Sequence, residues 1–298
     1  MAQTYEFRPA KAAQRKMIVD ASRRLTQIAP FDSYQYVGFG GLEFIDFVEF
    51  HRALGIPKMT SIERDTQMQH RLEFNKPYRS IRLLMGEARD QLPEVDWTIP
   101  SIVWLDYTDV LTTGVLHDVD FVIRSCCPGS VVIVTINGAS SGVRPGDRLD
   151  NVRNNLGDLV DDDLSEKDMA GWGPAKVQRG ILQARAHTAS REAHGLPMRQ
   201  LFNFHYADGA KMQTWGGIVT SPVMDRTIDT CRFEDLEFIR ADEDAFEISV
   251  PVFTVREIAF LEEGLAGLHD GALPKIKGVE AGDIKAFARV YRWRAGDR

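Results

Sequence analysis

The chain has 298 residues, of which 44% are hydrophobic and 27% charged, with a formal net charge of -7. That length suits one large domain, or one core with a substantial addition. No apolar run approaches the roughly 20 residues that cross a bilayer, and an acidic balance argues against broad binding to a phosphate backbone.

Residues 1–8 lack a basic segment followed by an apolar one, so secretion is not expected. The three cysteines, Cys126, Cys127 and Cys231, make neither a disulfide framework nor a zinc site. A cytoplasmic protein is the expectation. Residues 11 to 28 read as a helix with an apolar stripe of Met17, Ile18, Ala21, Leu25 and Ile28. Lys11 and Arg15, four positions apart, share a helix face. That face reads either as solvated or as a contact to an anionic substrate or partner.

A short buried strand at 34 to 38 ends in Gly38-Phe39-Gly40-Gly41. A largely buried helix follows over 43 to 51 and stops near Gly55. The second strand, 59 to 63, ends at Glu63 with Arg64 behind it, and a helix through 71 to 75 stops before Pro77. The third strand, 81 to 85, runs into Gly86-Glu87-Ala88 and a turn of helix ended by Pro93. The fourth, 102 to 106, closes on Asp106-Tyr107. A helix over 111 to 125 leads to the fifth strand, 129 to 137, which closes on Asn137. Unbroken apolar runs are what parallel strands covered on both faces require, and strand-helix alternation implies a doubly wound α/β sheet.

The rhythm breaks after Gly138. Residues 139 to 148 are loop-like, and 149 to 195 look helical but polar, with Asp161-Asp162-Asp163 as a solvated turn or helix start. Alternating segments at 199 to 206 and 211 to 220 flank Asp208-Gly209 and predict an antiparallel hairpin. Two helices are expected within 251 to 268 and 282 to 292. The chain is therefore divided into an N-terminal helical extension (1–30), a ligand-binding domain (31–220) with a helical insertion at 139–195, and a C-terminal helical appendage (221–298).

Five parallel strands followed by an antiparallel pair resemble the class I S-adenosylmethionine-dependent methyltransferases over about residues 30 to 220. The resemblance implies a seven-stranded sheet with a terminal hairpin, S-adenosylmethionine as cofactor, and methyl transfer to oxygen or nitrogen of an unidentified acceptor. It brings Gly38, Gly40 and Gly41 to the methionine part of the cofactor. It sets Glu63, with Arg64 beside it, at the ribose hydroxyls, and Gly86, Glu87 and Ala88 near the adenine. Asp106 and Tyr107 fall where the family touches the reactive methyl and its acceptor.

The residues read compatibly on their own chemistry. A carboxylate 22 positions after Gly41 suits ribose hydroxyls, and glycines let backbone approach a ligand. Glu43 and Asp46 at a helix start would repel a pyrophosphate but tolerate a cationic methionine group. This sets methyl transfer ahead of a nicotinamide-dinucleotide-dependent oxidoreductase. A third reading is a non-catalytic cofactor-binding sensor or scaffold.

Asp106 could orient a nucleophile, accept its proton, touch the sulfonium, or serve as a structural carboxylate bonded to nearby amides. Asn137 either approaches the acceptor or makes a side-chain-to-backbone turn bond. Tyr107 either shapes the transfer pocket or only walls it. No metal is assigned. His51, His70 and His205 read as packed or capping histidines and not as bases, Trp104 and Trp215 as sheet-packing residues. The acidic- or Asn-Pro-Pro-aromatic signature of DNA amino-methylation is replaced by Leu105-Asp106-Tyr107-Thr108, which argues against base amino-methylation and leaves another nucleic-acid acceptor possible but not favoured.

Overall fold

Strand apolarity is used on both sides of one sheet. In β4 (Ser101–Asp106), Ile102 and Trp104 enter one core while Val103 and Leu105 enter the other. β5 (Val131–Asn137) divides Val131 and Ile133 from Val132, Val134 and Ile136 in the same way. The computed structural model describes residues 8–139, 143–266 and 273–294. The reading of residues 1–7 for a leader, and of 140–142 as loop, lies outside them.

The remaining strands are β1 (Gln35–Gly38), β2 (Lys58–Glu63), β3 (Ile81–Met85), β6 (Arg199–Asp208), β7 (Ala210–Ile218) and β8 (Phe246–Ile248). Their order is β3-β2-β1-β4-β5-β7-β6-β8. The first five are mutually parallel, and β7 runs antiparallel to both β5 and β6. The hairpin turns at Gly209, whose φ of +99° suits a residue without Cβ. Strand order reverses between β1 and β4, so a crevice opens at their carboxyl ends, the usual ligand position in open α/β sheets.

The sheet has eight strands rather than the expected seven. Phe246–Ile248 pairs in parallel with β6 through Phe204, His205 and Tyr206. An appendage of helices alone does not account for it. Three residues behind an acidic, exposed stretch are too short a run to show strand periodicity.

The described residues hold ten α-helices: α1 (Pro9–Ser22), α2 (Ile45–Leu54), α3 (Gln69–Asn75), α4 (Ala88–Gln91), α5 (Thr113–Ser125), α6 (Arg148–Leu156), α7 (Gly173–His194), α8 (Asp225–Thr230), α9 (Val255–Ala266) and α10 (Ala281–Val290). One core unites α1, α2 and α8 with Tyr36, Trp104 and Phe204 of the sheet. The other unites α5, α6 and α7 with Val37, Val103 and Trp215. No helix of the described residues is long and apolar enough to cross a membrane.

Candidate active site

The loop after β1 is held by the end of β2. Gly40 N–H donates to Ser61 Oγ at 3.1 Å, and Gly41 N–H donates to Glu63 Oε1 at 2.6 Å. Ser61 Oγ also donates to the same Glu63 oxygen at 3.3 Å. A Cβ on Gly40 would lie 2.6 Å from the Phe44 ring and 2.7 Å from Ser61 Oγ. Gly41 has a φ of +53°, in the left-handed region that favours glycine. Glycines and acid, 22 positions apart, thus form one tight turn. Gly38 sits behind it, buried between β2 and β4 and registered with Ser61 and Trp104.

A cavity of about 270 Å³ opens in front of this turn. Phe39 comes to it from the glycine loop, and Ile62, Glu63 and Arg64 from the end of β2. Gly86, Glu87 and Ala88 follow β3, and Asp106, Tyr107, Thr108 and Asp109 follow β4. Parallel register makes this convergence automatic: Glu63 stands opposite Met85, and Gly86 N–H donates to the Glu63 carbonyl at 2.8 Å. Glu63, Arg64, Gly86, Glu87, Ala88, Asp106 and Tyr107 therefore share one wall, with Gly40 and Gly41 bonded directly behind it.

Asn137 is not among the lining residues. Its Oδ1 accepts from Ala139 N–H at 3.0 Å, the side-chain-to-backbone turn bond. Phe39, Ile62 and Thr108 were not singled out from sequence. Phe39 packs edge-on to Tyr107 with ring centroids 5.2 Å apart, and lay unmarked between two glycines.

Partial burial raises the Glu63 carboxyl above its ordinary range, while the Gly41 and Gly40 amides and Ser61 work against that rise. The Tyr107 hydroxyl donates to Asp118 Oδ2 at 2.7 Å. Burial, and then Asp118, push the phenol well above its usual range, so this group does not supply a base. Burial likewise raises the Asp118 carboxyl against the pull of that hydrogen bond.

The charged face of α1 is not solvated. Lys11 Nζ lies 2.8 Å from Asp106 Oδ2, with side chains only 4% and 13% exposed. Arg15 pairs with Asp46 in the first turn of α2, also buried. Asp46 thus carries a partner and does not stand as an open negative charge at the α2 start. The reason is tertiary: two carboxylates distant in sequence meet the helix, while the long stems of Lys11 and Arg15 bury apolar length. Among the described residues, the partner of the Asp106 carboxylate is this ammonium. His51 bonds through Nδ1 to the Ile56 carbonyl at the end of α2. No group of side chains arranged to hold a metal occurs among the described residues.

A family model described as "Putative O-methyltransferase" matches residues 3–294. No curated protein matches the chain. Among solved structures, it is similar to an O-methyltransferase from Bacillus cereus in complex with SAH, at 15% identity and a TM-score of 0.42, covering 71% of this chain and 81% of that one. It is also similar to the O-methyltransferase TomG from Streptomyces achromogenes, involved in tomaymycin synthesis and in complex with SAM, at 18% identity and a TM-score of 0.40, covering 71% and 88%. Since the family match spans nearly the whole sequence, the chain belongs to this family of O-methyltransferases.

Proposed function

We propose that the cavity at the ends of β1 to β4 binds S-adenosylmethionine, and that the protein transfers its methyl group to an oxygen of a small-molecule acceptor. The residues fit this cofactor. A Cβ on Gly40 would run into the Phe44 ring and Ser61 Oγ, so glycine lets the loop close beside the cavity, and the lining set combines carboxylates for hydroxyl donors with apolar Phe39 and Ile62. In this reading Glu63 accepts from the ribose hydroxyls, and Gly38, Gly40 and Gly41 pass the methionine part. Arg64 stands beside Glu63 at the ribose, and Gly86, Glu87 and Ala88 surround the adenine. Asp106 and Tyr107 border the methyl. Asn137, engaged with Ala139, remains a proposal only for the rim beyond β5.

The bound cofactor supplies an activated methyl on a cationic sulfur. The chain's own task is to align an acceptor behind that methyl and exclude water. Family membership supports methyl transfer over the dinucleotide-dependent redox reading. Three free cysteines suit a reducing, cytoplasmic compartment.

The observation that carries the cofactor reading is the bonding of Glu63 to the glycine turn while it lines the cavity. Glu63→Ala should weaken S-adenosylmethionine binding by at least about tenfold, near 1.4 kcal/mol, the scale of one charged hydrogen bond. Calorimetric titration measures this, with circular dichroism to show that the sheet persists. Wild-type affinity in a folded Glu63→Ala protein rules out the ribose assignment.

A further inference from the structure

A second cavity of about 270 Å³ adjoins the first, and the two share Asp106, Tyr107 and Thr108. Its opposite wall comes from α1 and the hairpin, through Lys11, Tyr206 and Met212. Lys11 is the notable group there. Its Nζ lies over the Trp104 ring, 4.4 Å from the centroid, and pairs with Asp106. Beyond that ion pair, Nζ finds no further hydrogen-bond partner among the described residues. A buried ammonium with unmet hydrogen-bonding capacity is costly, and the cavity that it lines has room for a partner.

Resting on the cofactor assignment above, we propose that this second cavity holds the methyl acceptor, that the acceptor is an aromatic hydroxyl, and that Lys11 takes its proton. A phenol and a lysine hold protons with similar strength, at ordinary pKa values of about 10 and about 10.4. Transfer between them is therefore close to balanced, as general-base catalysis prefers. Burial lowers the proton affinity of Lys11 against the opposing pull of Asp106 on β4 and Asp46 on α2, while Arg15 on its own helix adds to the lowering. Arg8 and Asp208 are the other charged groups on this wall.

An aliphatic alcohol holds its proton too tightly for an amine to take. A carboxylic acid is already ionised and leaves the amine nothing to do. Among the described residues no histidine lines the cavity, and the Tyr107 hydroxyl is committed to Asp118. Tyr206 and Met212 offer apolar surface for a ring.

In the proposed step the acceptor O–H bond breaks with its electron pair left on oxygen, and the proton goes to the neutral Lys11 amine. The oxygen forms its new bond to the methyl carbon as the carbon–sulfur electron pair returns to sulfur, leaving a thioether. The ammonium so produced pairs with Asp106, which is the arrangement that the structure shows.

The test uses the full chain with S-adenosylmethionine and three probes: 4-methylphenol, 4-nitrophenol and cyclohexylmethanol. Lys11→Met should retain cofactor binding and lose about 100-fold or more in turnover of 4-methylphenol. It should lose far less with 4-nitrophenol, which ionises near neutral pH without help. Lys11→Arg keeps a cation beside Asp106 but offers no basic lone pair, so it should fail on 4-methylphenol as Lys11→Met does. A readout without turnover is the phenolate absorbance of 4-nitrophenol bound in the presence of S-adenosylhomocysteine. The wild type should lower the bound phenol's apparent pKa, and Lys11→Met should not. Undiminished turnover of 4-methylphenol by either variant, equal losses on both phenols, preference for cyclohexylmethanol, or no phenol binding by a wild type that binds cofactor would each overturn the proposal. A wild type that binds no S-adenosylmethionine would remove the cofactor assignment, and this proposal with it.

Discussion

His205 is 5% exposed on β6, with its ring stacked on Trp172 at a centroid distance of 4.2 Å. Burial lowers its pKa from 6.5 to about 4, against the hydrogen bond with Gln213 and with help from Lys176, Arg179 and Lys211. The sign follows: between those two values the unfolded chain holds a proton that the folded one refuses. The stability from a neutral His205 is therefore complete above pH 6.5 and drains away as pH falls toward 4. The slope approaches about 1.4 kcal/mol per pH unit for one proton. Urea unfolding at pH 7, 6 and 5 should show a shallower acid loss in His205→Gln than in the wild type. Identical slopes would mean that His205 charges freely in the folded protein. The sequence reads this histidine as packed or capping, but does not reveal its ring partner, since Trp172 is 33 positions away across an irregular segment. The glycine turn was legible for the opposite reason: Gly38, Gly40, Gly41 and Glu63 end adjacent strands, and parallel pairing alone brings them together.

At the scale of elements, α1 is held by the hairpin tip. Asp208 Oδ1 accepts from Ala10 N–H at 3.2 Å, and Oδ2 accepts from Lys11 N–H at 2.8 Å. Both donors belong to the first turn, where a helix leaves amides unpaired and favours negative charge. The residue preceding the helix, Arg8, supplies no side-chain cap, so Asp208 caps from almost 200 positions away. Asp208→Ala should cost about 1–2 kcal/mol, the combined scale of a lost cap and a lost dipole partner. Chemical denaturation measures it. A variant as stable as wild type would show that the hairpin does not hold the helix. The hairpin itself was plain from alternation around Asp208-Gly209, and α1 from its apolar spacing. Their connection was not, and neither was the burial of Lys11 and Arg15. Periodicity reports which residues share a face, while the carboxylates that neutralise that face arrive from β4 and α2.

At the scale of the whole molecule, the two described ends of the chain close over one sheet face. Trp293 donates through Nε1 to Asp20 Oδ2 at 3.2 Å and packs edge-on to Phe238, with ring centroids 5.1 Å apart. Val290 and Trp293 belong to the same core as Ala13, Met17, Ile18 and Trp104. α1 therefore lies between the sheet and the C-terminal segment, and the position of Lys11 depends on residues near 290 as well as on Asp106. The C-terminal helices were expected from sequence, but their partner was not, because contacts across some 270 positions leave no local pattern. Trp293 is 8% exposed, and truncating a buried tryptophan costs about 3–5 kcal/mol. Trp293→Ala should therefore unfold at lower urea concentration, and hydrogen exchange should speed up in α1 before it does in β4 and β5, which pair at the sheet centre. If α1 amides stay as protected as in the wild type, the C-terminal segment does not hold the helix. If instead α1 and the central strands lose protection together, the tryptophan stabilises the whole fold, and α1 is no looser than the sheet beneath it.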